Sequence, residues 1–356
     1  MANSVTVKDV AREAKVSIGT VSRVFNNHKN VTEEVRLRVL KAASSVGYFG
    51  PHGHDMSSPN GNSHRALREI GFLSYLREDI TALAINPFWS HILHGVESEA
   101  RKSNMKVSYR AIGEFCQTPE MLLTTIYEMK LGGILLVGSA QPDTIGLIQS
   151  TKLPLVLVGN YVPGLSVDAV LADNFEGARA AVDYLINEGH HHIAFIGGPT
   201  LDGPRPINKF YAIERRAAGY RTALLDAGLP VNYNLYEAGT LWPTGGYEAC
   251  KRLIERNVQF SAIFCANDET AIGIMKALRD MGYRVPEDVS VVGFDDIAVV
   301  EHLTPALTTV RINKEALGSI AVKQLISRST DLEAASVTIL LQAQLIKRDS
   351  VISHTA

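Results

Sequence analysis

Val7-Lys8-Asp9-Val10-Ala11-Arg12-Glu13-Ala14-Lys15-Val16-Ser17-Ile18-Gly19-Thr20-Val21-Ser22-Arg23-Val24-Phe25-Asn26 is the stretch that decides how this chain is built. Apolar residues at 7, 10, 11 and 14 recur at the spacing of one buried helix face. Lys15-Val16 interrupts that face, and Ser17 is placed to cap a second helix by accepting from an amide of its first turn. Val21, Val24 and Phe25 continue the apolar stripe and leave Ile18, Gly19, Ser22, Arg23 and Asn26 facing outward. Two short helices joined by a tight turn, the second presenting small polar groups and an arginine, suit the major groove of DNA. A third helix is expected from Thr32 to Val46, with Val35, Val39, Leu40 and Ala43 on its inner face and Gly47-Tyr48 closing it.

Charge is distributed to match. Residues 1–49 hold eight bases against four acids, a balance of +4, whereas the whole chain of 356 residues stands at −2. The remaining residues therefore carry −6, and the phosphate-attracting charge is gathered in the small head.

Beyond the head, Phe49 to His64 is rich in Gly, Pro, Ser, Asn and His and reads as a linker. From Ile70 onward short apolar strands alternate with helical segments. Strands are expected at 70–74, 107–111, 133–137, 155–158, 169–172, 193–197, 235–238, 262–266, 290–294 and 309–312. Helices are expected at 89–102, 120–129, 175–188, 215–227, 245–256 and 269–281. Such βα alternation predicts parallel sheets covered by helices on both faces, with ligands beyond the carboxyl ends of the strands. Asn160, Asp173, Asn267-Asp268 and Asp295-Asp296 stand at those ends and become the candidates for polar ligand contacts.

Several motifs in register carry a resemblance. Val10-Ala11-Arg12-Glu13-Ala14, Thr20-Val21-Ser22-Arg23-Val24-Phe25-Asn26 and Val31-Thr32 closely resemble the N-terminal domain of the lactose/galactose repressor family of bacterial transcription regulators. Asn86-Pro87-Phe88, Arg216-Ala217-Ala218-Gly219-Tyr220, Ala266-Asn267-Asp268, Val292-Gly293-Phe294-Asp295-Asp296 and Pro305-Ala306-Leu307-Thr308-Thr309-Val310 follow in family order and resemble its effector domain. The resemblance implies a small all-α helix-turn-helix head at 1–49, a linker or hinge at 50–69 and an α/β effector domain at 70–356 similar to periplasmic binding proteins of type I. Two doubly wound subdomains joined by three crossovers are implied, the first at about 70–161 and 298–325, the second at about 162–297 and 326–356. The linker departs from the family, since no Ala-Arg-x-x-Leu hinge motif follows Gly47-Tyr48; Met56 and Arg65-Ala66-Leu67 are the nearest substitutes. The inserts at 75–83 and 199–213 are longer than the family usually has, so ligand size cannot be carried over from a relative.

The same resemblance implies site residues. Ser17, Thr20, Ser22 and Asn26 would bond DNA phosphates, while Ile18, Gly19 and Arg23 would face base edges. In the effector cleft, Arg216 would offer a fork of donors, Asn267 and Asp295 would take hydroxyls, and Phe88, Trp89 and Trp242 would stack on the apolar face of a sugar. The expected partners are a palindromic operator, a small effector of carbohydrate type and a second copy of the chain.

Other features point away from chemistry. His190-His191-His192 leads into a strand, where adjacent side chains diverge, so no metal site is expected. Gly132-Gly133 and Gly197-Gly198 lack the spacing of phosphate-binding loops. Cys116, Cys250 and Cys265 are widely separated and read as reduced core thiols, and with no apolar run long enough for a membrane span and no secretion signal the expectation is a cytoplasmic protein. No cofactor is expected, and no nucleophile or paired carboxylate stands in an enzymatic motif. A sugar-binding receptor or sugar-transforming enzyme with an incidental helical head is the competing reading.

Overall fold

A computed structural model describes residues 6–25, 28, 30–46, 48, 67–75, 87–113, 119–197 and 210–354. In the head, α1 (Val7–Glu13), α2 (Ile18–Phe25) and α3 (Glu33–Val46) enclose a small core of Val10, Ala14, Val21, Val24, Val39 and Ala43. The backbone amide and hydroxyl of Thr6 both donate to Asp9 Oδ2, at 2.9 and 2.8 Å, and start α1. Lys15, at φ +53°, turns the chain. Ser17 Oγ then accepts from the Thr20 amide at 3.0 Å and starts α2. Phe25 meets Tyr48 edge to face at 5.3 Å and Tyr127 of the body at 6.1 Å.

The first body sheet is parallel throughout, in the order β11-β5-β4-β3-β1-β2. Its strands are β1 (Glu69–Tyr75), β2 (Lys106–Ala111), β3 (Gly133–Gly138), β4 (Leu155–Val158), β5 (Asp168–Ala172) and β11 (Thr338–Leu341). Helices α4 (Pro87–Lys102), α5 (Pro119–Met129), α6 (Pro142–Gln149) and α11 (Lys314–Thr330) belong with it. The continuous burial of β3, β4 and β5 is what a sheet covered on both faces requires.

The second sheet is also parallel, β7-β6-β8-β9, from β6 (Ile193–Ile196), β7 (Tyr236–Glu237), β8 (Ala262–Cys265) and β9 (Ser290–Val292). Its helices are α7 (Asn174–Asn187), α8 (Tyr211–Asp226), α9 (Pro243–Glu255) and α10 (Asp268–Asp280). An antiparallel ribbon of β10 (Thr309–Arg311) and β12 (Gln344–Ile346) lies against it, with bridges from Val292 to Thr308 and from Asp295 to Arg311.

These pairings move the expected subdomain boundaries. Asp168–Ala172, placed from sequence in the second subdomain, pairs with β4 in the first sheet, and so does Thr338–Leu341 through β5. Residues 309–311, placed in the first, pair instead with β12 on the second. The chain therefore crosses between subdomains near Asp173, near Ile312-Asn313 and near Gln342-Ala343. Hydrogen-bond partners far away in sequence decide this, and strand periodicity carries no record of them. β11 and β12 are absent from the expected strands, and the helical stretches named from sequence include neither α6, which spans only eight residues, nor α11, which is wedged between α4 and strands β3 to β5. The expected strand at 235–238 shrinks to Tyr236–Glu237, preceded by a 3-10 turn at Tyr233–Leu235. Among the described residues, no helix is long and apolar enough to cross a membrane.

Candidate functional site

The carboxyl ends of both sheets face one cavity of about 930 Å³. That is near the upper end of the range for small-molecule pockets. Tyr75, Gly138 and Ala172 end β1, β3 and β5 on one wall; Ala238, Asn267 and Asp295 follow β7, β8 and β9 on the other. All six residues expected to hold the effector, Phe88, Trp89, Arg216, Trp242, Asn267 and Asp295, line this cavity. Phe88 and Trp89 begin α4 and meet edge to face at 4.9 Å. Trp242 is the residue before the first turn of α9, where Pro243 occupies the position that needs no amide donor.

Arg216 is the anchor of the cavity wall. From the buried face of α8 its Nε donates to Asn174 Oδ1 at 2.8 Å, Nη1 to the Ala266 carbonyl and Nη2 to Asp295 Oδ1 at 2.8 Å. The guanidinium lies over the Phe294 ring, 3.7 Å from its centroid. Asp295 itself is held at φ +110°, a backbone state L residues rarely adopt. Such strain persists only where the surroundings over-determine it. Here Arg216 takes one carboxylate oxygen and Lys314 Nζ donates to the Asp295 and Asp296 carbonyls. Burial pushes the Asp295 carboxyl up and the Arg216 guanidinium down, and each charge opposes the shift of the other. The second oxygen of Asp295 makes no hydrogen bond among the described residues.

The other strand-end candidates have mainly structural partners. Asn267 caps α10: its Oδ1 accepts from the Thr270 amide at 3.0 Å and its Nδ2 donates to the Leu241 carbonyl at 3.1 Å. Asp268 is fully buried, accepts from the Thr309 hydroxyl and the Ile297 amide, and is pushed up to about 8 by burial, with Asp295 adding to the effect. Asp296, another of those candidates, accepts from Arg348 and Arg311; against burial, those bonds hold its carboxyl below the usual range. Asp173 caps α7 through the Glu176 amide, and Asn160 donates to the Ala140 carbonyl. His190 is engaged with Ser261 Oγ and the Ile352 carbonyl, while His191 and His192 point to solvent. Cys250 and Cys265 are buried free thiols, both raised by burial; Cys116 lies outside the described residues.

Sequence reading missed Asn174, which orients Arg216, and Glu269, which lines the cavity beside Asp295. A polar residue directly after a strand-end aspartate was the available signal for the first. Nothing local marks the second.

On the head, Ile18, at 49% exposure, and Gly19, Ser22 and Arg23 form the outer face of α2, and Ser17 Oγ lies 2.9 Å from Thr20 Oγ1 at its start. The backbone of α2 sits on α1 and α3 so that this face stays open. Asn26, Met56 and Arg65-Ala66 lie outside the described residues, as do 76–83 and 199–209 of the inserts at 75–83 and 199–213; Leu67 is buried against the body near Gly132.

Comparison with known proteins fixes what this arrangement is. Residues 6–50 match bacterial regulatory proteins of the lacI family, and residues 182–351 match a periplasmic binding protein-like domain. The HTH-type transcriptional repressor CytR of Escherichia coli is 31% identical over 97% of this chain and 96% of its own length. The chain belongs to the lacI family. A probable HTH-type transcriptional repressor of Bacillus subtilis, ExuR, is 29% identical over 98% of both chains. The solved complex of the transcriptional regulator CelR with cellobiose is 30% identical, covers 97% of this chain and 99% of its own, and superposes with a TM-score of 0.72. As a lacI-family member the protein is a DNA-binding transcriptional regulator under small-molecule control, with a helix-turn-helix head on a type I periplasmic-binding-like body. Its relatives are repressors, not enzymes, which sets aside the receptor-or-enzyme reading.

Proposed function

We propose that this regulator is a repressor that grips a twofold operator as a dimer and changes its grip when a carbohydrate enters the cleft. The observation that carries the reading is the cavity lining itself: Phe88 and Trp89 on the first-sheet wall, Trp242 on the second-sheet wall, and a strained, Arg216-braced Asp295 whose second carboxylate oxygen makes no hydrogen bond among the described residues. Rings that stack on C–H faces and carboxylates that accept from hydroxyls are the complement of a sugar. The CelR relative, solved with cellobiose, supports a carbohydrate in such a cleft.

At the DNA, Ser17, Thr20, Ser22 and Asn26 bond phosphates, and Ile18, Gly19 and Arg23 face the bases, with Arg23 contributing about 1–3 kcal/mol of base discrimination if bidentate. One head covers too little groove to bind strongly alone, and a twofold operator needs a twofold protein. This work is done in the cytoplasm, where the operator is. The test is a gel shift on the protein's own upstream DNA with mono- and oligosaccharides, purines and amino acids, alongside thermal stabilisation. A sugar that both raises the melting temperature and alters operator affinity is expected. Equal affinity for operator and random duplex, whatever is added, refutes the proposal.

A further inference from the structure

One carboxylate on the cavity wall has no counter-charge among the described residues. Asp295 is balanced by Arg216, and Arg252 shares Glu237 with Arg256, the carboxylate accepting from Arg252 Nε at 2.7 Å. Glu248, on the outer turn of α9, is exposed and lies within 4.0 Å of Lys251 Nζ. Lys314 faces the Asp295 and Asp296 carbonyls from behind and is not part of the lining. Glu269 remains. It lines the cavity half-buried and makes no hydrogen bond or ion pair among the described residues.

Its position in the first turn of α10 ordinarily favours a carboxylate, because the amide dipoles point their positive end there. Burial nevertheless pushes Glu269 up, and the charge of Asp295 pushes it further. The wall therefore holds two neighbouring carboxylates of which one is braced and the other has no donor among the described residues. A half-buried acceptor in that state gains most from a ligand that donates hydrogen bonds. It repels a ligand that brings another negative charge.

We propose that Glu269 is a specificity-determining residue of the effector site, accepting hydroxyl hydrogens from a neutral, polyhydroxylated effector and excluding sugars that carry a carboxylate or phosphate. The proposal rests on the carbohydrate reading of the cleft. It narrows that reading from sugars in general to uncharged ones, and the size of the cavity admits more than a single ring.

The test pairs each neutral compound with its anionic counterpart on the full-length protein: glucose with glucuronate, galactose with galacturonate, ribose with ribose 5-phosphate, cellobiose with cellobionate. Binding is read by calorimetry. The neutral member is expected to bind tighter by roughly tenfold or more, the scale of a like-charge repulsion a few ångströms away at a partly buried site. Glu269→Gln is expected to narrow that ratio to about threefold or less, because it keeps the shape and removes the charge. Its unliganded melting temperature, expected to be no lower than that of the parent, reports folding. Glu269→Asp keeps the charge and retracts it, so the preference against anions should persist while neutral affinity falls. An anionic sugar that binds the parent as tightly as its neutral partner overturns the proposal, as does a ratio unchanged in Glu269→Gln. If no compound of either kind binds, the carbohydrate reading itself fails, before the variants are consulted.

Discussion

Arg216 and Asp295 illustrate how much one side chain can organise. The pair is nearly inaccessible to water, at 4% and 7% exposure, and the arginine ties α8, the end of β8 and the loop after β9 into one wall. Replacing either partner leaves the other charge buried and unpaired. Arg216→Met is therefore expected to lower unfolding free energy by about 3–5 kcal/mol in a urea titration. Adding Asp295→Asn to that variant should restore part of the loss, since the stranded carboxylate is then gone. A double variant that is simply additive would show that the two residues do not act as a pair. Asn174 belongs to the same unit, because its amide oxygen fixes the plane of the guanidinium.

Helices in the body cross so closely that glycine is required at the contacts. A Cβ at Gly318 of α11 would meet the Ile92 carbonyl of α4, and one at Gly95 of α4 would meet the Glu315 carbonyl of α11. The crossing is reciprocal, backbone against backbone, with no flexible side chain to yield. Gly318→Ala should thus cost about 1–3 kcal/mol despite its better helix propensity, measured as a lowered denaturation midpoint. An unchanged midpoint would mean that α4 and α11 can slide apart freely. A second element-level feature is pH-dependent. His190, between α7 and β6, donates from Nε2 to the Ile352 carbonyl and bonds Ser261 Oγ through Nδ1, and burial lowers its affinity for a proton. With the folded value below the ordinary 6.5, the unfolded chain takes up the proton first, so this contribution is complete above 6.5 and is lost as pH falls below it. Melting temperature should drop between neutral pH and pH of about 5, and His190→Asn should flatten that slope.

At the scale of the whole molecule, head and body are distinct cores that touch. Tyr127 of α5 packs on the head cluster, its hydroxyl buried without a hydrogen-bond partner among the described residues and its titration pushed up to about 12 by burial. The three crossovers lie close to the Asp295-Asp296 loop, whose backbone carbonyls receive Lys314 at the start of α11. An effector bound between the sheets can therefore bias the relative placement of the subdomains, but only by as much as it prefers one arrangement. If paired heads are needed for strong operator binding, residues 1–60 alone should bind operator far more weakly than the full chain at matched salt. Equal affinities in that gel shift would refute the dimeric reading.

The head was almost wholly legible: Val10, Ala14, Val21 and Val24 are buried and Ile18, Gly19, Ser22 and Arg23 exposed, as helical spacing alone requires. So was the alternation of strands and helices, because each depends on neighbours within a few residues. What local pattern could not reach was pairing. Membership of β5, β10 and β11 in their sheets rests on hydrogen bonds between distant segments. The cavity shows the same division. Motifs named Arg216, Asn267 and Asp295, yet the engagement of Asn267 as a helix cap and the isolation of Glu269 depend on groups brought together from separate strands. Side-chain type and spacing are properties of the chain, whereas burial, counter-charge and open acceptors exist only once the sheets have closed around a common space.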